Sequence, residues 1–460
     1  MINVVGAGLA GSEAALQVAA CGVPVNLYEM KPKYKSPAHK MDLFAELVCS
    51  NSLRSNMINN AVGLLKYELL SLGSYLLEAA LHNEVPAGGA LAVDRNLFAE
   101  EVTAKIMSNP LITVHHELID DIPANGIWLI ATGPLTQGKL FASMADFFGE
   151  EHLHFFDAAA PIISKDSIDT SIAFPQSRYN KGGDDYLNCP MDENEYKQFY
   201  AALKTAERAE VHDFDREIVF EGCMPIETMA SRGEDTMRFG PLKPVGLKDP
   251  RTGREPYACV QLRQDDIRGE MYNIVGFQTR LKQGEQRRVF GLIPGLSKAI
   301  FYRYGVMHRN TFINSPKHLN PTYATRKRHD LFFAGQMTGV EGYVESIASG
   351  MVAAINAVRY FYNLPELVFP KQTVIGAMAN YISDPEVKHF QPMNANFGLL
   401  PKLEYNTGKK DRPYHLARRS LQLITTLSTE LNQLRVEKRP VYEIPDPMTL
   451  AEERRKNENK

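Results

Sequence analysis

An apolar run, Ile2, Asn3, Val4 and Val5, opens the chain and leads straight into Gly6, Ala7, Gly8, Leu9, Ala10 and Gly11. Helical spacing of apolar positions follows over residues 12–20. A second apolar run over 23–28 then ends on the acid Glu29. Strand, glycine turn, helix, strand and acid in this order predict a βαβ unit. Residues 128–131 predict another strand, closing in Thr132, Gly133 and Pro134. A late strand at 331–333 closes in Ala334, Gly335 and Gln336. Gly339, Gly342 and Tyr343 follow, and helical spacing then runs over 344–360. Between about 141 and 305 the pattern breaks into short strands, prolines, glycines and polar turns. Leu416, Leu421, Leu423, Leu427, Leu431 and Leu434 predict an amphipathic helix over 416–434. The tail from Glu452 is charged and reads as frayed.

The glycine turn has the spacing of a dinucleotide fingerprint. Gly6 allows the tight turn, Gly8 admits a pyrophosphate, and Gly11 lets the helix pack against the sheet. The helix N-terminus offers free N–H groups to phosphate. Glu29 is placed to accept a hydrogen bond from a ribose hydroxyl. The turn at Thr132 and Gly133, and still more the late glycine-rich turn at Gly335, Gln336, Gly342 and Tyr343, present further backbone to a long ligand. FAD is long enough to use both ends of the chain. The expected fold is therefore α/β, a Rossmann-like FAD-binding domain of the glutathione-reductase type with an inserted α+β domain. Residues 1–140 and 306–440 would form the discontinuous FAD domain, 141–305 the inserted substrate domain, and 441–460 a charged tail.

Composition narrows the class. A chain of 460 residues suits two or three domains. No apolar run reaches the roughly 18–20 residues needed to span a bilayer. The first apolar stretch is already used as a strand, so no signal peptide is read and a cytoplasmic location is expected. Five scattered cysteines without a CxxC argue against a disulfide framework, a metal site or a dithiol flavoreductase. The net charge of −3 leaves only local patches for nucleic acid. Such patches occur at Arg287 and Arg288, at 326–328, and at Arg418 and Arg419. A basic cluster is more often simply a solvated face.

Two cysteines have unusual surroundings. Cys49 lies in a polar, cap-rich loop over 46–55, soon after the fingerprint unit. Cys223 ends a strand at a Gly-Cys-Met-Pro turn. Cys21 and Cys259 read as small buried hydrophobes, and Cys189 as a loop residue with no visible base.

These blocks, together with 238–247, 304–312 and 335–350, resemble the folate- and FAD-dependent tRNA (uracil-5-)-methyltransferase family, TrmFO, over residues 1 to about 435. The resemblance implies methylation of the T-loop uridine of tRNA. Methylenetetrahydrofolate would be the carbon donor, and NAD(P)H would reduce the FAD. Uracil C5 is a poor nucleophile until a thiolate adds at C6. By resemblance, Cys223 is that nucleophile and Cys49 serves the C5 proton. Tyr343 is a candidate stacking partner for flavin or pterin. The alternatives are an MnmG-like flavoprotein modifying the wobble uridine of tRNA, or a small-molecule NAD(P)H:flavin oxidoreductase.

Overall fold

Five parallel strands form the central sheet, in the order Leu331–Phe333, Ile127–Ile130, Ile2–Val5, Val25–Tyr28 and Ile112–His115. This is a computed structural model; it describes residues 1–458 except 37, 150–152, 159, 181–182, 210–223 and 388–389. Ile2, Val4, Leu27, Leu129 and Ile130 are fully buried, as expected of parallel strands covered on both faces. The helix Leu9–Ala20 starts three residues before the sequence pattern suggests, because Gly8 already stands at its N-cap.

Two close approaches join the ends of the chain. A Cβ on Gly350 would stand 2.2 Å from the Ala10 carbonyl oxygen, and one on Gly335 would stand 3.3 Å from the Ala10 Cβ. The helix Tyr343–Phe361 therefore lies directly on Leu9–Ala20, with glycine at the contact. The hydrophobic core built here draws on residues between Ile2 and Met144 and between Phe312 and Ala451.

A second core gathers residues between Ile163 and Leu296. It covers a sheet ordered Phe174–Pro175, Tyr186–Met191, Ala258–Gln264, Met271–Ile274, Ile162–Ser164 and Phe301–Arg303, antiparallel at each of these pairings. The helices Glu193–Thr205 and Gln283–Phe290 belong to this part. Asp192 and Glu195 start the first of them with a reciprocal capping box. The antiparallel pair Leu153–Ala158 and Met307–Phe312 carries the chain out and back between the two cores.

Three readings need correction. Cys189 is not in a loop: it lies fully buried in the strand Tyr186–Met191. The tail does not fray from Glu452. Residues Pro447–Glu458 form a helix that buries Ala451, and Arg454 and Arg455 pair with Asp411 at 2.6 and 3.1 Å. The amphipathic helix spans Arg412–Leu434, and its buried row is Leu416, Ile424 and Leu431 rather than leucines alone.

Candidate functional site: two glycine turns and a thiol loop

Gly6 turns the chain with φ +94°, and a Cβ there would stand 2.6 Å from the Ala131 carbonyl oxygen. Gly11 packs against the turn itself rather than the sheet at large: its Cβ would fall 1.8 Å from the Gly6 carbonyl oxygen. Gly8 differs from both. Its φ of −74° suits any residue, and a Cβ would meet nothing within 4 Å. The absent side chain leaves open space in front of a helix end that has no side-chain cap. That cradle fits a pyrophosphate.

Glu29 is buried, and its Oε2 accepts the Ala7 N–H at 2.7 Å while its Oε1 accepts the Lys31 N–H at 3.0 Å. It thus props the glycine turn, and each oxygen keeps a lone pair for a further donor such as a ribose hydroxyl. Leu9 and Ala10 are buried behind the turn.

Of the later turns, the one at Gly133 is open in the same way, whereas those at Gly335 and Gly342 are close-packed. Gly133 has φ +77°, and a Cβ there would meet nothing within 4 Å. The Thr132 hydroxyl is 2.7 Å from that of Thr136, which in turn donates to the Gly133 carbonyl. Gly335 has φ +85°, and its N–H donates to Ser349 at 2.7 Å. Gln336 donates to Glu341 at 2.6 Å. Gly342, with φ +117°, starts the helix Tyr343–Phe361, which has no side-chain cap. A Cβ at Gly342 would meet the Glu345 carboxylate at 2.3 Å. With the turn at Gly8, these residues offer two helix N-termini that have no side-chain cap, a set suited to a dinucleotide.

Between the turns runs the segment that carries Cys49. Its Ala45 N–H donates to the Ala7 carbonyl at 2.9 Å, tying it to the first glycine turn. The Tyr343 hydroxyl accepts the N–H of Cys49 at 2.8 Å and of Ser50 at 3.2 Å, tying it to the second. Burial pushes the Tyr343 phenol up, so it stays protonated. Cys49 is half-buried, whereas Cys21, Cys189 and Cys259 are buried, and burial pushes those three thiols up.

Arginines hold the rest of the loop. Arg95 donates to the Leu47 carbonyl at 3.0 Å and to Asp265 at 2.8 Å. Arg263 donates to Ser50 Oγ at 2.7 Å and to Asn51 Oδ1 at 3.1 Å. Arg303 donates to the Val48 carbonyl. Beside them, Arg54 (φ +64°) pairs with the buried Glu345, and the fully enclosed Lys66 donates to the Ser55 carbonyl at 2.6 Å. Burial, with Arg54 beside it, pushes the Lys66 ammonium down to about 7.

Cys223 lies outside the described residues. The described chain resumes at Met224 and Pro225, followed by the helix Ile226–Arg232. The four arginines expected at RNA divide into two kinds. Arg287 is exposed over the Tyr304 ring, and Arg418 is exposed. Arg288 pairs with Glu285 at 2.6 Å, and Arg419 donates to the Pro401 and Lys402 carbonyls. In the 326–328 cluster, Arg326 donates to the Ser383 carbonyl, Lys327 to the Phe147 carbonyl, and Arg328 pairs with Asp330. No group of three or more His, Cys, Asp or Glu side chains suited to a metal ion occurs among the described residues. No helix among them is long and apolar enough to cross a membrane.

Sequence reasoning missed Arg95, Arg263, Arg303 and Lys66. The one hint was Arg263, the one charged residue in the buried strand Ala258–Gln264.

The comparisons agree with this architecture. The family described as Glucose inhibited division protein A (GIDA) matches residues 1–365. Proteins called methylenetetrahydrofolate--tRNA-(uracil-5-)-methyltransferase TrmFO match along nearly the whole chain. The one from Acetivibrio thermocellus is 60% identical over 92% of this chain and 97% of its own. Those from Lactiplantibacillus plantarum and Enterococcus faecalis are 58% and 59% identical, over 93% and 92% of this chain and 97% of each. Among solved structures, Aquifex aeolicus GidA in its form I crystal superposes with a TM-score of 0.68 at 16% identity, over all of this chain and 79% of that one, which speaks for the fold. By sequence the chain belongs to the TrmFO family of methylenetetrahydrofolate--tRNA-(uracil-5-)-methyltransferases, within the wider GIDA group.

Proposed function

We propose that this protein methylates C5 of the T-loop uridine of tRNA, with methylenetetrahydrofolate as carbon donor and an FAD that is reduced by NAD(P)H. The observation that carries the reading is the Cys49 loop, bonded at Ala45 to one glycine turn and at Cys49 and Ser50 to the other. A dinucleotide lying along both turns would have a thiol-bearing loop against it. A plain NAD(P)H:flavin oxidoreductase has no use for that thiol. FAD, when bound and reduced, would supply the two electrons as a hydride, which replaces the one-carbon unit's bond to the donor nitrogen, the pair of that bond leaving on nitrogen, and so completes the methyl group.

The chain's own residues account for the remaining steps. The Cys223 thiolate forms a bond to uracil C6, and the C5–C6 π pair moves toward C5, which then bonds the donor's one-carbon unit. Cys49 takes the C5 proton. The electron pair of that C–H bond restores the C5–C6 double bond and expels Cys223. Ala7, Gly8, the free amides behind them and Glu29 hold the dinucleotide. Tyr343 fixes the Cys49 backbone. Arg287 and Arg418, both exposed, touch RNA phosphate. The work is done in the cytoplasm.

The decisive experiment supplies the FAD-loaded protein with methylenetetrahydrofolate, NADPH and T-arm RNA. One-carbon transfer to uracil C5 is expected. A 5-fluorouridine substrate should trap an adduct on the Cys223 peptide. An adduct on Cys49 would exchange the two roles, and NADPH oxidation with no transfer to RNA would overturn the reading.

A further inference from the structure

If Cys49 takes the C5 proton, it must reach that step without a proton of its own. An ordinary cysteine, with a pKa near 8.5, is mostly protonated at neutral pH. The surroundings of Cys49 supply what an ordinary site lacks. Arg95 stands at the start of the helix Arg95–Met107, Arg263 in the strand Ala258–Gln264, and Arg303 at the end of the strand Phe301–Arg303. Their guanidinium groups hold Leu47, Val48, Ser50 and Asn51, the residues on either side of Cys49, and all three lie close enough to feel a charge on its side chain.

The opposing charge is smaller. Arg95 and Arg263 are buried. Among the described residues Asp265 pairs directly with the cluster, through Arg95. Glu46 acts on Arg303, but its carboxylate also accepts the Lys40 and Met41 N–H groups and lies 4.0 Å from Lys31. On the helix Tyr343–Phe361, Tyr343 is protonated and the buried Glu345 carboxylate pairs with Arg54. Arg95 Nε and Asp265 Oδ2 are both buried without a hydrogen-bond partner, and one carboxylate faces three guanidinium groups. A buried surplus of positive charge is costly unless an anion joins it.

We propose that Arg95, Arg263 and Arg303 form a guanidinium cage that keeps Cys49 as a thiolate, which makes them positioning residues for its proton transfer. The cage has members from both cores, one from the nucleotide domain and two from the insert. The proposal rests on the reading of Cys49 as the proton acceptor, but its test does not pass through methylation.

The test is the pH profile of Cys49 alkylation by iodoacetamide, in the FAD-loaded full chain without RNA, followed by peptide mass spectrometry. Buried Cys21, Cys189 and Cys259 serve as slow internal references. Half-maximal reactivity of Cys49 is expected at or below about pH 7, against about 8.5 for an ordinary thiol. Arg263→Gln should raise it by a unit or more, and Arg263→Lys should restore part of the shift. Arg303→Gln, at the end of its strand, provides a second variant should Arg263→Gln fail to fold, judged by flavin content and unfolding midpoint. A wild-type midpoint near 8.5, or unchanged midpoints in folded Gln variants, would overturn the cage. A low midpoint together with full methylation by Cys49→Ser would leave the cage standing and remove Cys49 from the chemistry.

Discussion

The glycine turn at residues 6–11 and the thiol loop at 47–51 are joined within one structure but held in opposite ways. The turn is made mainly by sequence neighbours, Gly11 against the Gly6 carbonyl, with Glu29 as a prop and Ala131 on the adjoining strand end against Gly6. The loop is held from 48 to 294 positions away, by Arg95, Arg263, Arg303 and Tyr343. A turn built from neighbours forms wherever its strand and helix form. A loop built from distant groups exists only once two cores have packed.

That contrast can be broken at several points. The largest effect should come from Gly11→Val, whose Cβ would fall 1.8 Å from backbone. A loss of about 3 kcal/mol or more is expected in thermal unfolding of the apoprotein. Gly8→Val tests the other half of the turn. It should leave apoprotein stability within about 0.5 kcal/mol, since nothing stands near its Cβ, yet abolish the flavin absorbance of the purified protein. Normal FAD content in Gly8→Val would refute the pyrophosphate cradle.

Beside the loop, Lys66 gives a pH signature. Folded, it loses its proton near 7, while the unfolded side chain holds one to 10.5. Between those values the unfolded state binds more protons, so stability should rise with pH, by up to about 1.4 kcal/mol per unit. The burial penalty is present in full below pH 7. Lys66→Met should flatten this slope relative to wild type in urea unfolding across pH 7–10. A smaller loss of stability than in Gly11→Val is expected for Tyr343→Phe. It keeps an aromatic ring but removes the acceptor of two N–H groups, and should cost about 1–2 kcal/mol. It should slow methylation while FAD stays bound. Unchanged methylation in Tyr343→Phe would show that the loop does not need this anchor.

How much could be read in advance follows the same division. Gly6, Gly8, Gly11 and Glu29 were legible because their spacing encodes a backbone path, and the late turn at Gly335 and Gly342 was legible for the same reason. The short strands of the insert defeated the reading at Cys189. Its strand is buried on both sides of Cys189 and shows no alternation to detect. The charged tail was misread because composition does not reveal that the helix Pro447–Glu458 buries Ala451 and packs against the helix Arg412–Leu434, or that Asp411 pairs with its arginines.

By itself the sequence determined the glycine turn, the parallel βαβ start and the return of the chain to it, since φ preference, side-chain volume and hydrophobic period act between near neighbours. Only the tertiary structure decided that Tyr343 would pin Cys49 by its backbone and that three arginines from separate elements would surround the same loop. The field at a thiol is a sum over charges in space, and their distances are set by how two cores dock, which no local pattern records.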